Sequence, residues 1–295
     1  MSARQFKYTI NNKALTDAQR EFYEVNGYIL IKNNVPSSLI DELRQHFVDV
    51  CEKRKESPGR IVKDRSLKKK GYKGETVVNK IQDFLHDDKF FEYATFGPVT
   101  DVVESIIGPD IVGVHSMLIN KPPDSHPDLS LHPLHQDLHY FPFRPVDSIV
   151  ASWTAMELVN KENGCLYVVP GSHRRGELYP HTYPKGLRNA LYHGISGLED
   201  EQKLHVVMEK GDTIFFHPLL LHGSGPNFTK GYRKAISVHF ANSSCYFIDV
   251  VGTTQEQISK EIEAIATVDY VTAWKLKSRN IRGDPKSFTT LPSQL

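Results

Sequence analysis

The sequence predicts a single, mainly β domain: an all-β core of the sandwich, barrel or jelly-roll kind, with helices at both ends of the chain. Three observations carry this. From about residue 111 to 250, short apolar or alternating segments follow one another, separated by Gly, Pro, Asn and Asp, which is the spacing of many short strands. Before that stretch, from about 14 to 108, apolar residues recur at helical period behind N-cap signals. After it, from about 254 to 280, helical period returns. No repeat or low-complexity linker divides the 295 residues, so one large domain is expected.

Taken in order, Thr16-Asp17-Ala18-Gln19 is a capping-box pattern that opens a helix, with Phe22 and Tyr23 as its apolar contacts and Gly27 as its stop. Tyr28-Ile29-Leu30-Ile31 reads as a short strand. Val35-Pro36-Ser37-Ser38 begins a second helix with Leu39, Ile40, Leu43, Phe47 and Val50 on its apolar side. A further helical stretch covers about Phe90 to Ile107, broken near Gly97-Pro98. Strands are then expected at Val112–Ile119, Ile149–Leu158, Cys165–Val169, His205–Met208, Thr213–Phe216, Ala235–Phe240 and Cys245–Val250, with a tight turn at Lys210-Gly211-Asp212. From Thr254 to Ala266, Ile258, Ile262 and Ile265 fall on one helical side.

Composition narrows the function classes. Hydrophobic residues make up 39% and charged residues 24%, as in a folded soluble core. The 36 Lys+Arg balance 35 Asp+Glu, so no nucleic-acid partner is expected. No apolar run approaches the roughly 18 residues that span a bilayer, and no signal-peptide core follows Met1. The three cysteines, Cys51, Cys165 and Cys245, suggest reduced thiols in an intracellular compartment. Ser293-Gln294-Leu295 differs at its middle residue from the Ser-Lys-Leu peroxisomal address. It is read as a weak signal for a peroxisomal import receptor, with the cytoplasm as the other location.

The chemistry-bearing pattern is His135-Gln136-Asp137, followed later by His222 and Arg233. Two His and one carboxylate can hold a non-haem Fe(II) on one face and leave three positions open. An Arg beyond the second His offers a two-point grip on a carboxylate, which Lys cannot match. Two other His-x-Asp runs compete. His86-Asp87-Asp88 sits in a charged stretch at a helix start, where solvated or capping roles are expected, and His126-Pro127-Asp128 lies in the Pro-rich loop from Lys121 to Ser130. The run at His135 enters the strand-like segment Leu138–Phe143, where strand period would turn residues 135 and 137 to the same face. For the second His, spacing leaves His217 and His222 both open, His217 being the better fit to a core or strand-end hydrogen bond. The Gly223-Ser224 that follows His222 suits close approach of a ligand to the backbone. Lys68-Lys69-Lys70 is a solvated charge run or an attraction for a phosphate-bearing substrate such as a coenzyme A thioester.

Several segments together resemble the phytanoyl-CoA dioxygenase (phytanoyl-CoA 2-hydroxylase) family. They are Pro133–Phe141, Trp153–Met156, Asn163–Leu166 and His217–Gly225, with Lys121–Ser125 and Met208–Thr213 beside them. The resemblance runs from about Phe6 to Ala266 and includes many positions that are not ligands. It implies a double-stranded β-helix (jelly-roll, cupin-like) core with flanking α-helices, binding Fe(II) and 2-oxoglutarate and using O2, with ascorbate as the supporting reductant. On this resemblance His135, Asp137 and His222 are the iron ligands, and Arg233 and Ser224 hold the far carboxylate of 2-oxoglutarate. Lys80, Met117, Gln136 and Trp153 surround the co-substrate, and Asn227 and Gly164 shape the pocket. Core packing is the other reading for Met117 and Trp153. The implied substrate is a branched acyl-CoA, hydroxylated at carbon 2 in fatty acid α-oxidation. The carboxylate of Asp137, absent from related halogenases, favours hydroxylation. Lys53–Thr76 and Ser125–Leu131 depart from the family pattern, and the first of these is placed over the substrate mouth. Competing readings are a same-fold oxygenase acting on another small molecule, a non-catalytic binding protein, and a cupin-like metal enzyme without 2-oxoglutarate.

Overall fold

The alternation Arg233-Lys234-Ala235-Ile236-Ser237-Val238-His239-Phe240 explains the layering. All of these residues are buried, so the strand they form has both faces covered. Ile236, Val238 and Phe240 join one apolar cluster, packed with the N-terminal helices, while Ala235 joins a different one between the two sheets. A strand buried on both sides by two different layers sits at the middle of a helix–sheet–sheet stack.

The computed structural model describes residues 6–123, 131–184, 191–284 and 289–290. In chain order the elements are α1 (Asp17–Asn26), β1 (Tyr28–Ile31), α2 (Ser37–Cys51), β2 (Arg60–Lys63), α3 (Arg65–Lys69), β3 (Val78–Gln82), α4 (Asp88–Ala94), α5 (Gly97–Ile107), β4 (Ile111–Lys121), β5 (His132–His135) and β6 (Phe143–Arg144). Then come β7 (Ile149–Ala155), β8 (Leu166–Val168), β9 (Leu204–Val206), β10 (Thr213–Phe216), β11 (His222–Ser224), β12 (Arg233–Asn242), β13 (Tyr246–Phe247), α6 (Glu256–Ala266), α7 (Tyr270–Lys277), β14 (Arg279–Arg282) and β15 (Thr289–Thr290). The large sheet runs β1-β10-β7-β12-β4-β3-β2, with β14 also paired to β4, and the small sheet runs β5-β11-β8-β9. Leu166 and Val168 of the small sheet pack with Trp153, Ile214 and Phe216 of the large one. The two sheets therefore face each other as a jelly roll.

Most local expectations hold. Thr16 and Gln19 form the reciprocal capping box of α1, and Gly27 ends it in the left-handed conformation at φ 76°. The helical stretch after residue 88 is broken into α4 and α5, with Pro98 in the first turn of the second. The Lys210-Gly211-Asp212 turn has Gly211 at φ 90°, where any Cβ would lie 2.3 Å from the Val35 carbonyl oxygen. All three cysteines are free and buried. No helix among the described residues is long and apolar enough to cross a membrane.

Other expectations are corrected. The part before residue 108 holds two strands besides the expected β1: β2 and β3 also belong to the large sheet. The departing segment Lys53–Thr76 includes β2 and α3. The run Leu138–Phe143 is not a strand. It is mostly a 3₁₀ turn, Asp137–Tyr140, before the two-residue β6. Its carbonyls are taken up by the side chain of Gln255, whose Nε2 donates to Leu138, His139 and Phe141. A backbone served that way needs no ladder partner. Ile258 and Ile262 are buried, whereas Ile265 is 38% exposed. His126-Pro127-Asp128 and Ser293-Gln294-Leu295 lie outside the described residues.

Candidate active site

β5 and β11 are antiparallel neighbours, and their register sets His222 directly opposite His135. The two rings lie with centroids 4.2 Å apart. Each ring is held by its Nδ1–H: His135 donates to the Pro133 carbonyl at 2.8 Å and His222 to the Leu220 carbonyl at 2.9 Å. Those bonds select the tautomer with a bare Nε2. Both bare nitrogens face Asp137 Oδ1, at 3.4 Å from His135 and 3.6 Å from His222. Asp137 reaches them from the start of the 3₁₀ turn and not from the strand, because β5 ends at His135. The convergence comes from the strand-end bend, not from strand alternation. One ligand atom of each residue lies within 4.8 Å of the others, and all three residues are buried.

The electrostatics suit a divalent cation. Burial pushes the Asp137 carboxyl up. The nearby imidazole rings of His222 and His239, and a hydrogen bond from His239, more than reverse this and hold it well below the usual carboxylate range. Burial pulls His222 down to about 4, helped by His135. With both Nδ1–H groups given to carbonyls, two bare imidazole nitrogens and one carboxylate face one another, the donor set of a non-haem iron face. The other oxygen, Asp137 Oδ2, accepts from His239 Nε2 at 2.8 Å.

A cavity of about 430 Å³ opens beside the triad. At one end lie Arg233, Ser224 and Lys121. Arg233 begins β12 and is 2% exposed. It donates through Nη2 to the Gly164 carbonyl at 2.9 Å and lies 5.2 Å from the Trp153 ring. Its Nε and Nη1 have no hydrogen-bond partner among the described residues. Burial lowers its pKa to about 10, so it remains a cation. Unpaired donors on a buried guanidinium are costly unless an anion meets them. Ser224 Oγ accepts from Lys121 Nζ at 2.9 Å, which leaves its own proton free to donate. This end therefore offers the groups that a carboxylate needs.

Lys80, Met117 and Trp153 also line the cavity. Met117 and Trp153 flank Ser237 in register across the large sheet, and the Lys80 ammonium lies 5.4 Å from the Tyr192 ring. Gln136 departs from expectation. It is fully buried, and the residues lining the cavity do not include it. Its Nε2 donates to the Glu177 and Leu219 carbonyls, and its Oε1 accepts from Tyr179 N. An amide committed in that way fastens the neighbouring segment and has no group left for a co-substrate. Asn227 ties the turn before β12 through Gly231 O and Thr229 N. Gly164 sits at φ 81°, where a Cβ would lie 2.5 Å from Gly225 O.

The competing residues find other roles. His217 is buried, pairing Nε2 with Asp147 and accepting from Leu219 N. Asp87 caps α4 and bonds His46, while His86 meets the Leu276 carbonyl. The close neighbours of Gly223 are protein atoms: a Cβ there would lie 2.4 Å from Tyr167 Oη and 2.7 Å from His132 O. Lys68 to Lys70 are exposed and do not line the cavity, whereas Arg60 of β2 does.

Sequence reasoning missed His239, Ser237, Lys121 and His132. His132 stacks on His135 at 4.0 Å. The signal for His239 and Ser237 was present in the sequence, because strand period carries the face of Arg233 on to positions 237 and 239. Lys121 stands opposite Arg233 in the β4–β12 pair.

Comparison with known proteins adds four findings. A family model described as phytanoyl-CoA dioxygenase matches residues 23–235. The human "Phytanoyl-CoA dioxygenase, peroxisomal" is 48% identical over 293 residues, covering 95% of this chain and 86% of that protein. The Caenorhabditis elegans "Probable phytanoyl-CoA dioxygenase" is 47% identical, covering 94% of this chain and 96% of that one. Among solved structures, the epimerase SnoN in complex with Fe3+, alpha ketoglutarate and nogalamycin RO superposes with a TM-score of 0.59 at 19% identity, covering 78% of this chain and 85% of that chain.

Proposed function

The chain belongs to the phytanoyl-CoA dioxygenase family, and we propose that it hydroxylates carbon 2 of a 3-methyl-branched fatty acyl-CoA of the phytanoyl-CoA type. The reaction consumes O2 and 2-oxoglutarate at Fe(II) and serves fatty acid α-oxidation. The observation that carries this reading is a pairing. A buried face of two bare imidazole nitrogens and one carboxylate shares a cavity with a buried guanidinium that has unpaired donors. A non-catalytic binding protein would need neither, and a metal enzyme without 2-oxoglutarate would have no use for Arg233.

His135 Nε2, His222 Nε2 and the Asp137 carboxylate would hold Fe(II), and Arg233 with Ser224 would hold the far carboxylate of 2-oxoglutarate. When bound, Fe(II) and 2-oxoglutarate would supply the electrons that activate O2, one oxygen atom ending in succinate as CO2 is released and the other in the hydroxyl at carbon 2. The chain's own residues orient and shield. The Pro133 and Leu220 carbonyls fix both imidazoles, His239 fixes the free oxygen of Asp137, and Trp153 and Met117 wall the cavity with apolar surface. Ascorbate is proposed as the reductant that keeps the iron ferrous. A peroxisomal location is supported by the names of the vertebrate relatives, with Ser293-Gln294-Leu295 proposed as the import-receptor contact.

The test is mass spectrometry of products from Fe(II), ascorbate, 2-oxoglutarate, O2 and phytanoyl-CoA. A 2-hydroxylated thioester with matching succinate is expected. Succinate without it transfers the chemistry to another small molecule, and neither product from iron-loaded protein overturns the oxygenase reading. Asp137→Ala should abolish turnover.

A further inference from the structure

The cavity has two unlike ends. The end at Arg233 is polar, with buried Ser224 and Lys121 beside it. The other runs past the triad to a wall formed by Ile262, Ile265, Ala266, Val268, Ala273 and Leu276 of α6, α7 and the turn between them. Two of these are large side chains left open to solvent, Leu276 at 65% and Ile265 at 38%. Apolar groups lining and rimming a pocket contribute only when an apolar ligand covers them. The wall is also fastened to the segment that carries Asp137. Tyr270 Oη donates to the Tyr140 carbonyl at 2.6 Å, and Gln255, which caps α6, holds the carbonyls of Leu138, His139 and Phe141. Trp274 anchors the base of the wall, packing edge-on against Phe141 at 5.0 Å and His115 at 6.0 Å.

We propose that the α6–α7 wall is the alkyl-chain subsite and sets chain-length selectivity. This rests on the acyl-thioester reading above. A carbon 2 held beside the triad has two substituents to place, an alkyl chain and a thioester carrying an anionic coenzyme. The polar end cannot take the alkyl chain, because the unpaired donors of the buried Arg233 would there face hydrocarbon instead of an anion. The rim contributed by β2 and β3 is also polar: Arg60, Asn79, Lys80 and Gln82 line it. That rim suits the phosphates. The apolar wall offers a coenzyme little. Its cation, Lys277, lies 3.9 Å from Asp83 and 3.8 Å over the Trp274 ring. The apolar wall is left for the chain.

The test compares Ile265→Asp and Leu276→Asp with the unaltered protein on two 3-methyl acyl-CoA substrates, one with a long chain and one with a chain too short to pass the triad. Both positions are solvent-exposed, so the fold should tolerate the change. Each buried methylene contributes about 4-fold in affinity, so displacing two or three should raise the long-chain KM by roughly 10- to 60-fold. The short-chain KM should stay within about 2-fold. Equal rises for both substrates, or no rise for either, overturn the proposal. Calorimetric binding of the same two thioesters separates this from the reaction itself. Long-chain-selective loss of binding without any turnover keeps the wall and discards the hydroxylase reading. Chain-length-independent binding in the variants discards the wall alone, and no binding to the unaltered protein discards both.

Discussion

Replacing His239 by alanine should weaken metal binding without touching a ligand. His239 Nε2 donates to Asp137 Oδ2 at 2.8 Å, and the Asp137 carboxyl is buried. Removing the donor leaves a buried carboxylate oxygen unsatisfied, which costs about 1–3 kcal/mol. It also frees the carboxylate to rotate away from the two imidazoles. Loss of such an outer partner typically lowers metal affinity about 10- to 100-fold, or about 1.4–2.8 kcal/mol at 1.4 kcal/mol per tenfold. The two estimates agree, so a drop in that range is expected. The assay is anaerobic titration with Fe(II), repeated with Mn(II) as a redox-stable probe, with circular dichroism to check the fold. His239→Gln, which keeps an N–H donor, should recover most of the affinity. Metal affinity within about 3-fold of the unaltered protein in His239→Ala would refute the reasoning, as would equal losses in the alanine and glutamine variants.

Three other outcomes follow from the same geometry. Arg233→Lys keeps the charge but loses the planar fork, so the KM for 2-oxoglutarate should rise at least about 10-fold while Fe(II) affinity stays close to normal. An unchanged KM would remove Arg233 from the co-substrate. In Gly223→Ala the new methyl would meet Tyr167 Oη at 2.4 Å and His132 O at 2.7 Å. An overpacking loss of about 1–3 kcal/mol and reduced activity are expected, with only partial recovery in a Tyr167→Phe background because the carbonyl remains; full recovery would contradict the account. Finally, burial holds His115 at about 4, His139 at about 2 and His181 at about 3 in the folded state, below the ordinary value of about 6.5. The unfolded chain therefore binds the extra protons, so stability rises with pH across this window and is lost as pH falls from about 6.5 toward 4. The thermal midpoint of the metal-free protein should drop between pH 7 and pH 5, and a constant or rising midpoint would refute it.

The fold was legible where local patterns have one physical meaning. Thr16 with Gln19, the break at Gly97-Pro98 and the turn at Gly211 each follow from a backbone requirement that few residues meet, and the structure places them as expected. The strands β2 and β3 were not legible. β2 pairs with β3 and β3 with β4, with helical segments between the partners in both cases, and no tight turn announces either pairing. The 3₁₀ turn at Asp137 was hidden for a related reason. Leu138-His139-Tyr140-Phe141 has strand composition, yet its carbonyls are satisfied by Gln255, more than a hundred residues away. Long-range side-chain hydrogen bonding overrode local propensity.

The site divides along the same line. Residues that project from regular strands, such as Arg233, Trp153 and Met117, reach the cavity because alternation is a local rule. Gln136 fails that rule because it stands at the bend between β5 and the turn, where no period applies. There the amide is drawn away to the Glu177, Tyr179 and Leu219 backbone. The same bend swings Asp137 toward the imidazoles, so one local departure from strand geometry both creates the three-sided face and removes Gln136 from it. Straightening the bend would release the Gln136 amide from those backbone groups. Gln136 and Gln255 hold the bend and the turn after it by hydrogen bonds to backbone groups, although neither glutamine lines the cavity.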